Sequence, residues 1–247
     1  MPAPGDLIRE IEQTAELPDS PWERFSGYGI MGLPFSSGQI LGLRCFPASS
    51  LGVPYKSVWH RDAAGKWAFY QNAQPEKSCP RYFGNAVLKI QQVDEIKINW
   101  TGPYDLCVSI EENVGLEWKV SMSSTLSTRL MNLIAGLVPS SLWQKSGFLN
   151  FMGGAASLML GAGHLGLSGQ VPNGQRFIAN PRRIWIIRKS DASIQGQDLG
   201  PAGRLHDQAR LGDFWIPQRG IFAIGDSMFE PYDPELHSLR YFSKKGQ

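Results

Sequence analysis

The sequence predicts a mainly β protein, an antiparallel β-barrel or highly curved sandwich with a helical insertion at about residues 124–162. Three observations carry this. Short apolar or alternating runs recur from about Gly27 to Ser227, separated by Gly, Pro, Asn and Asp. Tight-turn signals stand between them, and Val171-Pro172-Asn173-Gly174 holds the strongest. Between Arg129 and Arg176 the one formal charge is Lys145. Such a stretch must bury itself in the core, a ligand, a partner or a bilayer surface.

In chain order, Leu7, Ile8, Ile11 and Ala15 give residues 5–16 a helical apolar face, ended by Pro18 and Pro21. The texture then becomes that of strands. Candidates are 39–46, 55–61 and 66–71, the last two joined by the turn Asp62-Ala63-Ala64-Gly65. A loop over 75–80 precedes strands at 85–91, 95–100, 104–111 and 116–122. Their turns are Thr101-Gly102-Pro103 and Asn113-Val114-Gly115. The insertion starts near Ser124, where Ser and Thr offer N-caps, and Pro139 divides it. Its first half has a broad apolar face (Leu130, Leu133, Ile134, Leu137, Val138). Its second packs Gly153 to Ser157 between large residues, allowing close backbone approach. Strands resume at 165–171, 175–179, 183–188, 193–199 and 220–227, with a polar loop at 202–213.

The 247 residues suit one domain spanning 1–247, its insertion serving as an apolar lid. Net charge is +2 with scattered basic residues, which gives no nucleic-acid footprint. Eight Trp suit strands and a ligand-lined cavity. Cys45, Cys79 and Cys107 form neither a Cys-x-x-Cys motif nor an even set, so a disulfide framework and a cysteine zinc cluster are not expected. The first residues carry Asp6, Arg9, Glu10 and Glu12 rather than an apolar signal segment, and a cytoplasmic setting is inferred. Residues 148–167 are uncharged and about long enough to span a bilayer, but their glycines, Asn150 and His164 favour a buried helix or lid.

The most chemical-looking motif is Trp59-His60-Arg61-Asp62. On a strand, His60 and Asp62 share one face, and a carboxylate beside an imidazole builds a general base. In the plainer reading Asp62 opens the turn to Gly65. Glu111-Glu112 ends a strand: the member facing an apolar cavity would have a raised pKa suited to proton transfer, and in the plainer reading both flank the Asn113-Val114-Gly115 turn in solvent. His164 lies in a long uncharged run where the lid rejoins the sheet, at a natural cavity mouth. Tyr55, Tyr70, Tyr82 and Arg81 are candidates to polarise a carbonyl or enolate oxygen. Trp59, Trp100, Trp118 and Phe151 are expected to line the cavity. The four histidines have no metal-ligand spacing, so no metal is expected. Neither a Walker A loop nor a Gly-x-Ser-x-Gly elbow occurs. Gly161-x-Gly163-x-x-Gly166 matches dinucleotide-loop spacing, but it follows a helical segment. No cofactor is expected.

The Trp- and Tyr-rich strands, the hairpin from Val171 to Phe177 and the apolar stretch together resemble the lipocalin-like superfamily of carotenoid hydratases and pericyclic cyclases. The likeness is one of texture over roughly residues 25–230. It implies a cofactor-free cavity acting on a hydrophobic polyene, terpenoid or polyketide. Trp100-Thr101-Gly102-Pro103 is similar to a segment of acetoacetate decarboxylases, at another position, but no Lys-Lys pair able to supply that family's Schiff-base lysine is expected.

The expectation is therefore a hydrophobic small molecule bound in a barrel cavity, with isomerisation, cyclisation, hydration or elimination driven by His60 or His164. The alternatives are a non-catalytic carrier of such a ligand and peripheral membrane contact through the insertion.

Overall fold

A computed structural model describes residues 2–111, 113–139 and 142–239. Its helices are α1 (Pro4–Thr14), α2 (Pro80–Phe83), α3 (Leu126–Leu137) and α4 (Ser146–Leu160). Its strands begin with β1 (Glu23–Pro34), β2 (Ile40–Ser49), β3 (Tyr55–Arg61), β4 (Trp67–Gln71) and β5 (Lys89–Gln92). Then come β6 (Lys97–Gly102), β7 (Asp105–Ile110), β8 (Leu116–Ser123), β9 (Ser168–Gln170) and β10 (Arg176–Ile194). The short β11 (Gln197–Asp198), β12 (Arg210–Leu211) and β13 (Phe214–Trp215) precede β14 (Ile221–Phe229).

The main sheet runs β5-β4-β3-β2-β1-β14-β10-β8-β7-β6, antiparallel except for the β4–β5 pair. Laid flat, its edge strands would stand about 43 Å apart. Yet β5 and β6 are joined only by residues 93–96, a link that spans at most about 18 Å. The sheet must therefore curl until its edges approach, and it forms a half-barrel.

Side-chain alternation then makes two cores. Inside the curl lie Val58, Val108, Trp118, Trp185 and Phe222, all fully buried, joined by Val93 and Ile96 of the link and by Ile8 of α1. The outer face of β1–β4, β10 and β14 carries a second apolar set, including Phe25, Trp59, Phe69, Ile186 and Ile221, and is covered by α2, α3 and α4. The outer face of β7 and β8 is polar, with Glu117 and Lys119 exposed. The helical insertion thus lies on the outside of the curl and does not close its mouth, as a barrel lid would. The reason is the pattern of β1, β2, β10 and β14, which are apolar on both faces and need a cover on each.

Two elements differ from expectation. The central strand β1 is obscured by Gly27, Gly29 and Gly32, since glycine weakens a strand pattern. Here it is required: a Cβ on Gly27 would meet the Cys45 carbonyl oxygen at 2.1 Å, and one on Gly29 the Leu43 oxygen at 2.1 Å. The spacing Gly27-x-Gly29-x-x-Gly32 lies within this strand and is no dinucleotide loop. Strand β10 runs through three expected segments as one 19-residue strand. Pro181 is accommodated at a bulge against β14, opposite Gly225. The Asp62 turn forms as expected, with Asp62 Oδ1 accepting from Lys66 N at 2.8 Å and Gly65 at φ +86°.

The insertion is anchored by sequence-legible caps and by one buried amide. Thr125 caps α3 in a reciprocal pair with Thr128. Asn132 Nδ2 donates to Ile184 O at 2.9 Å, and its Oδ1 accepts from Ile184 N at 2.8 Å. The side chain thereby satisfies β10 backbone groups where β8 no longer pairs. Gly161, at φ +57°, ends α4. Among the described residues no helix is long and apolar enough to cross a membrane.

Candidate ligand site

The apolar space of this protein lies between the outer face of the sheet and the helical layer. Met131 and Ala135 of α3, Trp143, Met152 and Ala156 of α4, and Ile184 and Ile221 of the sheet line a slot of about 60 Å³. That volume holds a few waters, so a terpenoid-sized guest requires the helices to move outward. Gly153 lets α4 approach the chain closely, since a Cβ there would meet the Leu165 carbonyl oxygen at 2.4 Å, whereas Gly147 and Gly154 face open space.

The slot meets a second cavity of about 60 Å³, since Met31, Pro181 and Ala223 line both. Its floor is the bare backbone of Gly27, Gly29 and Gly225, and Arg44, Phe46 and Phe214 stand over it. Arg44 is 7% exposed. Its Nη1 donates to Leu43 O (2.8 Å) and Ile30 O (2.5 Å), and its Nη2 to Met31 O (3.1 Å). The guanidinium lies 4.4 Å above the Trp59 ring and 5.5 Å from that of Phe214. Among the described residues no carboxylate forms an ion pair with it. Burial pulls its pKa down to about 10, against the opposing influence of Cys79 and Tyr55, and it remains a cation at neutral pH.

Asp226 is likewise buried, with Arg182 Nη2 at 2.6 Å from Oδ2. Burial raises its pKa, while Arg182 and Ser26 oppose the rise. Asn180 Oδ1 is buried without a hydrogen-bond partner among the described residues. Asn180 and Asp226 pair across β10 and β14 on the face of the sheet that carries Phe222 and Ile224, whereas Arg44 stands on the opposite face with Trp59 and Phe214. It is therefore the buried cation alone that stands where the apolar slot ends.

The raised pKa has a consequence for stability. Protonated Asp226 is the form the fold prefers, so its contribution is fully present below the unfolded value of about 3.9 and is lost as pH rises through the folded value. Asp226→Asn is expected to raise Tm at pH 7 and to do so less at pH 4, in paired thermal melts. Equal shifts at both pH values would contradict this.

The residues singled out from the sequence lie elsewhere. His60 Nε2 contacts Gln39 Oε1 at 2.8 Å, and burial lowers its pKa against the pull of Asp62. Asp62 serves its turn rather than hydrogen-bonding His60. Glu111 is exposed beside Lys97 (2.5 Å), whose hydrogen bond lowers the carboxyl's pKa. Its inward, raised-pKa alternative is thereby corrected; Glu112 falls outside the described residues. His164 is exposed, edge-on to Trp215 with ring centroids 5.0 Å apart. Trp215 and the neighbouring Leu165 and Gly166 line the apolar slot, so His164 does stand at its rim.

Tyr55, Arg81 and Tyr82 belong to polar clusters under α2. The Tyr55 hydroxyl meets Cys79 Sγ at 3.4 Å. Arg81 forms a two-point pair with Glu23, which also accepts from Tyr82 Oη at 2.6 Å. Burial works to raise the Glu23 pKa, but these bonds bring it below the usual value. Tyr70, Trp100 and Trp118 point into the packed curl, where Trp118 Nε1 donates to Ser190 Oγ at 2.8 Å. Phe151 lies on the exposed side of α4. Trp59 is fully buried and touches the site only by carrying Arg44 on its face. These placements correct the expected cavity lining: Trp100 and Trp118 are interior packing, and Phe151 faces away. Arg44 is not among the candidates the sequence points to, although a charge between Leu43 and Cys45 in an apolar strand is its signal. Asp226, in Gly225-Asp226-Ser227, has a similar one. Among the described residues no three His, Cys, Asp or Glu side chains cluster as a metal site.

Fold and site together define a curled antiparallel half-barrel with an apolar slot under a helical cover. No family model matches the chain, and no curated protein matches it. Among solved structures, it is similar to an acetoacetate decarboxylase from Legionella pneumophila, at a TM-score of 0.40 and 9% identity, over 92% of this chain and 93% of that one. This likeness assigns neither residues nor a reaction. The expectation of no Lys-Lys pair is corrected by the sequence, which holds Lys244-Lys245; both lie outside the described residues.

Proposed function

We propose that this protein binds a hydrophobic small molecule bearing an acidic or carbonyl head group, and acts on it by acid–base chemistry without a cofactor. The observation that carries the reading is Arg44. A guanidinium this buried, without a carboxylate, is costly, and it stands where an apolar slot ends. A carboxylate or enolate there would complete its pairing, while the ligand's body displaced water under α3 and α4. His164, edge-on to Trp215 at the rim of the slot, is the group suited to move a proton.

A long-chain carboxylate is expected to bind at least about tenfold more tightly than the alcohol of equal length, in calorimetric titrations. Arg44→Met, which conserves volume, is expected to abolish that preference while leaving the alcohol's affinity nearly unchanged. Equal affinities in the native protein would reject the head-group assignment. The exposure of His164 favours a second reading, a non-catalytic carrier. His164→Ala distinguishes the two, since a carrier retains both affinity and ligand, whereas an enzyme retains affinity and loses turnover of the co-purified compound.

A further inference from the structure

We propose that the outward face of α3 and α4 docks onto the surface of an anionic lipid bilayer. In α3, Leu126, Leu130, Leu133 and Leu137 recur at i, i+4, i+7 and i+11, and all four are exposed, Leu126 at 83%. The helix turns Thr128, Met131 and Asn132 inward. A helix covering a sheet normally shows the reverse arrangement, with polar residues outside. In α4, Phe151 and Leu158 are exposed at i and i+7, Leu158 at 85%. Gly147 and Gly154 share their stripe, and a Cβ at either would meet nothing within 4 Å. Both helices of the layer therefore present leucine, phenylalanine and bare backbone to the outside.

The helical layer itself carries charge of one sign. From Trp118 to Ser190 the chain holds eight Lys and Arg and no Asp or Glu, and of the eight, Arg176, Arg182 and Lys189 on the sheet pair with Glu230, Asp226 and Asp191. Arg129 stands exposed at the start of α3 and Lys145 just before α4. Arg204 donates from Nη2 to Gly161 O at 2.5 Å, and Arg219 from Nη1 to Leu160 O at 3.4 Å, so two more cations gather at the C-terminal end of α4. A basic rim about an apolar helical face is complementary to acidic headgroups lying over acyl chains. Since neither helix is long and apolar enough to span, they would lie in the interface plane. This charge complementarity selects a bilayer over a second copy of the chain, whose own face carries the same positive charges. The surface argument does not depend on what the slot beneath binds. If both hold, the ligand's entrance lies against the membrane.

The test is flotation of the full chain with vesicles of phosphatidylcholine alone or mixed with phosphatidylglycerol. Binding is expected to the mixed vesicles only, weakening as salt rises. The triple variant Leu130→Gln, Leu133→Gln, Leu137→Gln is expected to lose at least about tenfold in partition, with an unchanged circular dichroism spectrum. The pair Phe151→Ser, Leu158→Ser probes the other helix should the first variant not fold. Arg129→Gln with Lys145→Gln is expected to reduce the preference for the anionic lipid. Absence of the native protein from the floating fraction at low salt would overturn the proposal. So would a dimer in light scattering that the leucine variant dissociates, because a second copy would then cover the face.

Discussion

Gly29→Ala is expected to cost about 4 kcal/mol or more and to leave little folded protein at 37 °C. The added Cβ would lie 2.1 Å from the Leu43 carbonyl oxygen, a backbone atom of the paired strand that cannot swing aside. Strand β1 sits between β2 and β14 at the centre of the sheet, so displacement of its ladder disturbs both cores. Gly225→Ala is subject to the same argument against Asn180 O, again at 2.1 Å. By contrast, Gly154→Ala, with open space around the new methyl, is expected to be neutral or slightly stabilising, as alanine favours helix. Urea titrations of the three variants check the ranking. If Gly29→Ala unfolded at the same midpoint as Gly154→Ala, the tight approach of β1 to β2 would be wrong.

The second large effect tests where the ligand space lies. Trp118→Ala is expected to cost about 3–5 kcal/mol, as the loss of a fully buried indole does. It also removes the donor to Ser190 Oγ. Because Trp118 belongs to the interior packing and not to the slot under α3 and α4, affinity for a hydrophobic carboxylate, measured per folded molecule, is expected to stay within about twofold. A variant that remains as stable as the native protein but binds ligand much more weakly would put the binding cavity back inside the curl.

These two residues also mark how far the sequence could be read. Trp118 stands in the alternation Leu116, Trp118, Val120, which shows that one face of that strand is buried. It does not show whether the burial is against core or ligand. Gly29 hid its strand, because the reason for a glycine there is an oxygen of a neighbour 14 residues away. His60 and Asp62 looked like a pair because strand periodicity sets the face a side chain takes. What Asp62 bonds was decided by the turn it opens.

The sequence by itself determined the β class, most of the strands, the two-helix insertion with its Thr125 and Gly161 ends, and the lack of any acidic residue in that insertion. All of these rest on local periodicity and on turn or cap chemistry within a few residues. Tertiary structure alone decided which side of the sheet the helices cover, where free space remains, and that Arg44, Trp59 and Phe214 meet at the end of the slot. Those three come from β2, β3 and β13 and are gathered by strand order and by the packing of β13 over the sheet. Closing a curled sheet from distant strands is a matter of register between chain segments, and register over such separations leaves no mark on any one segment's pattern.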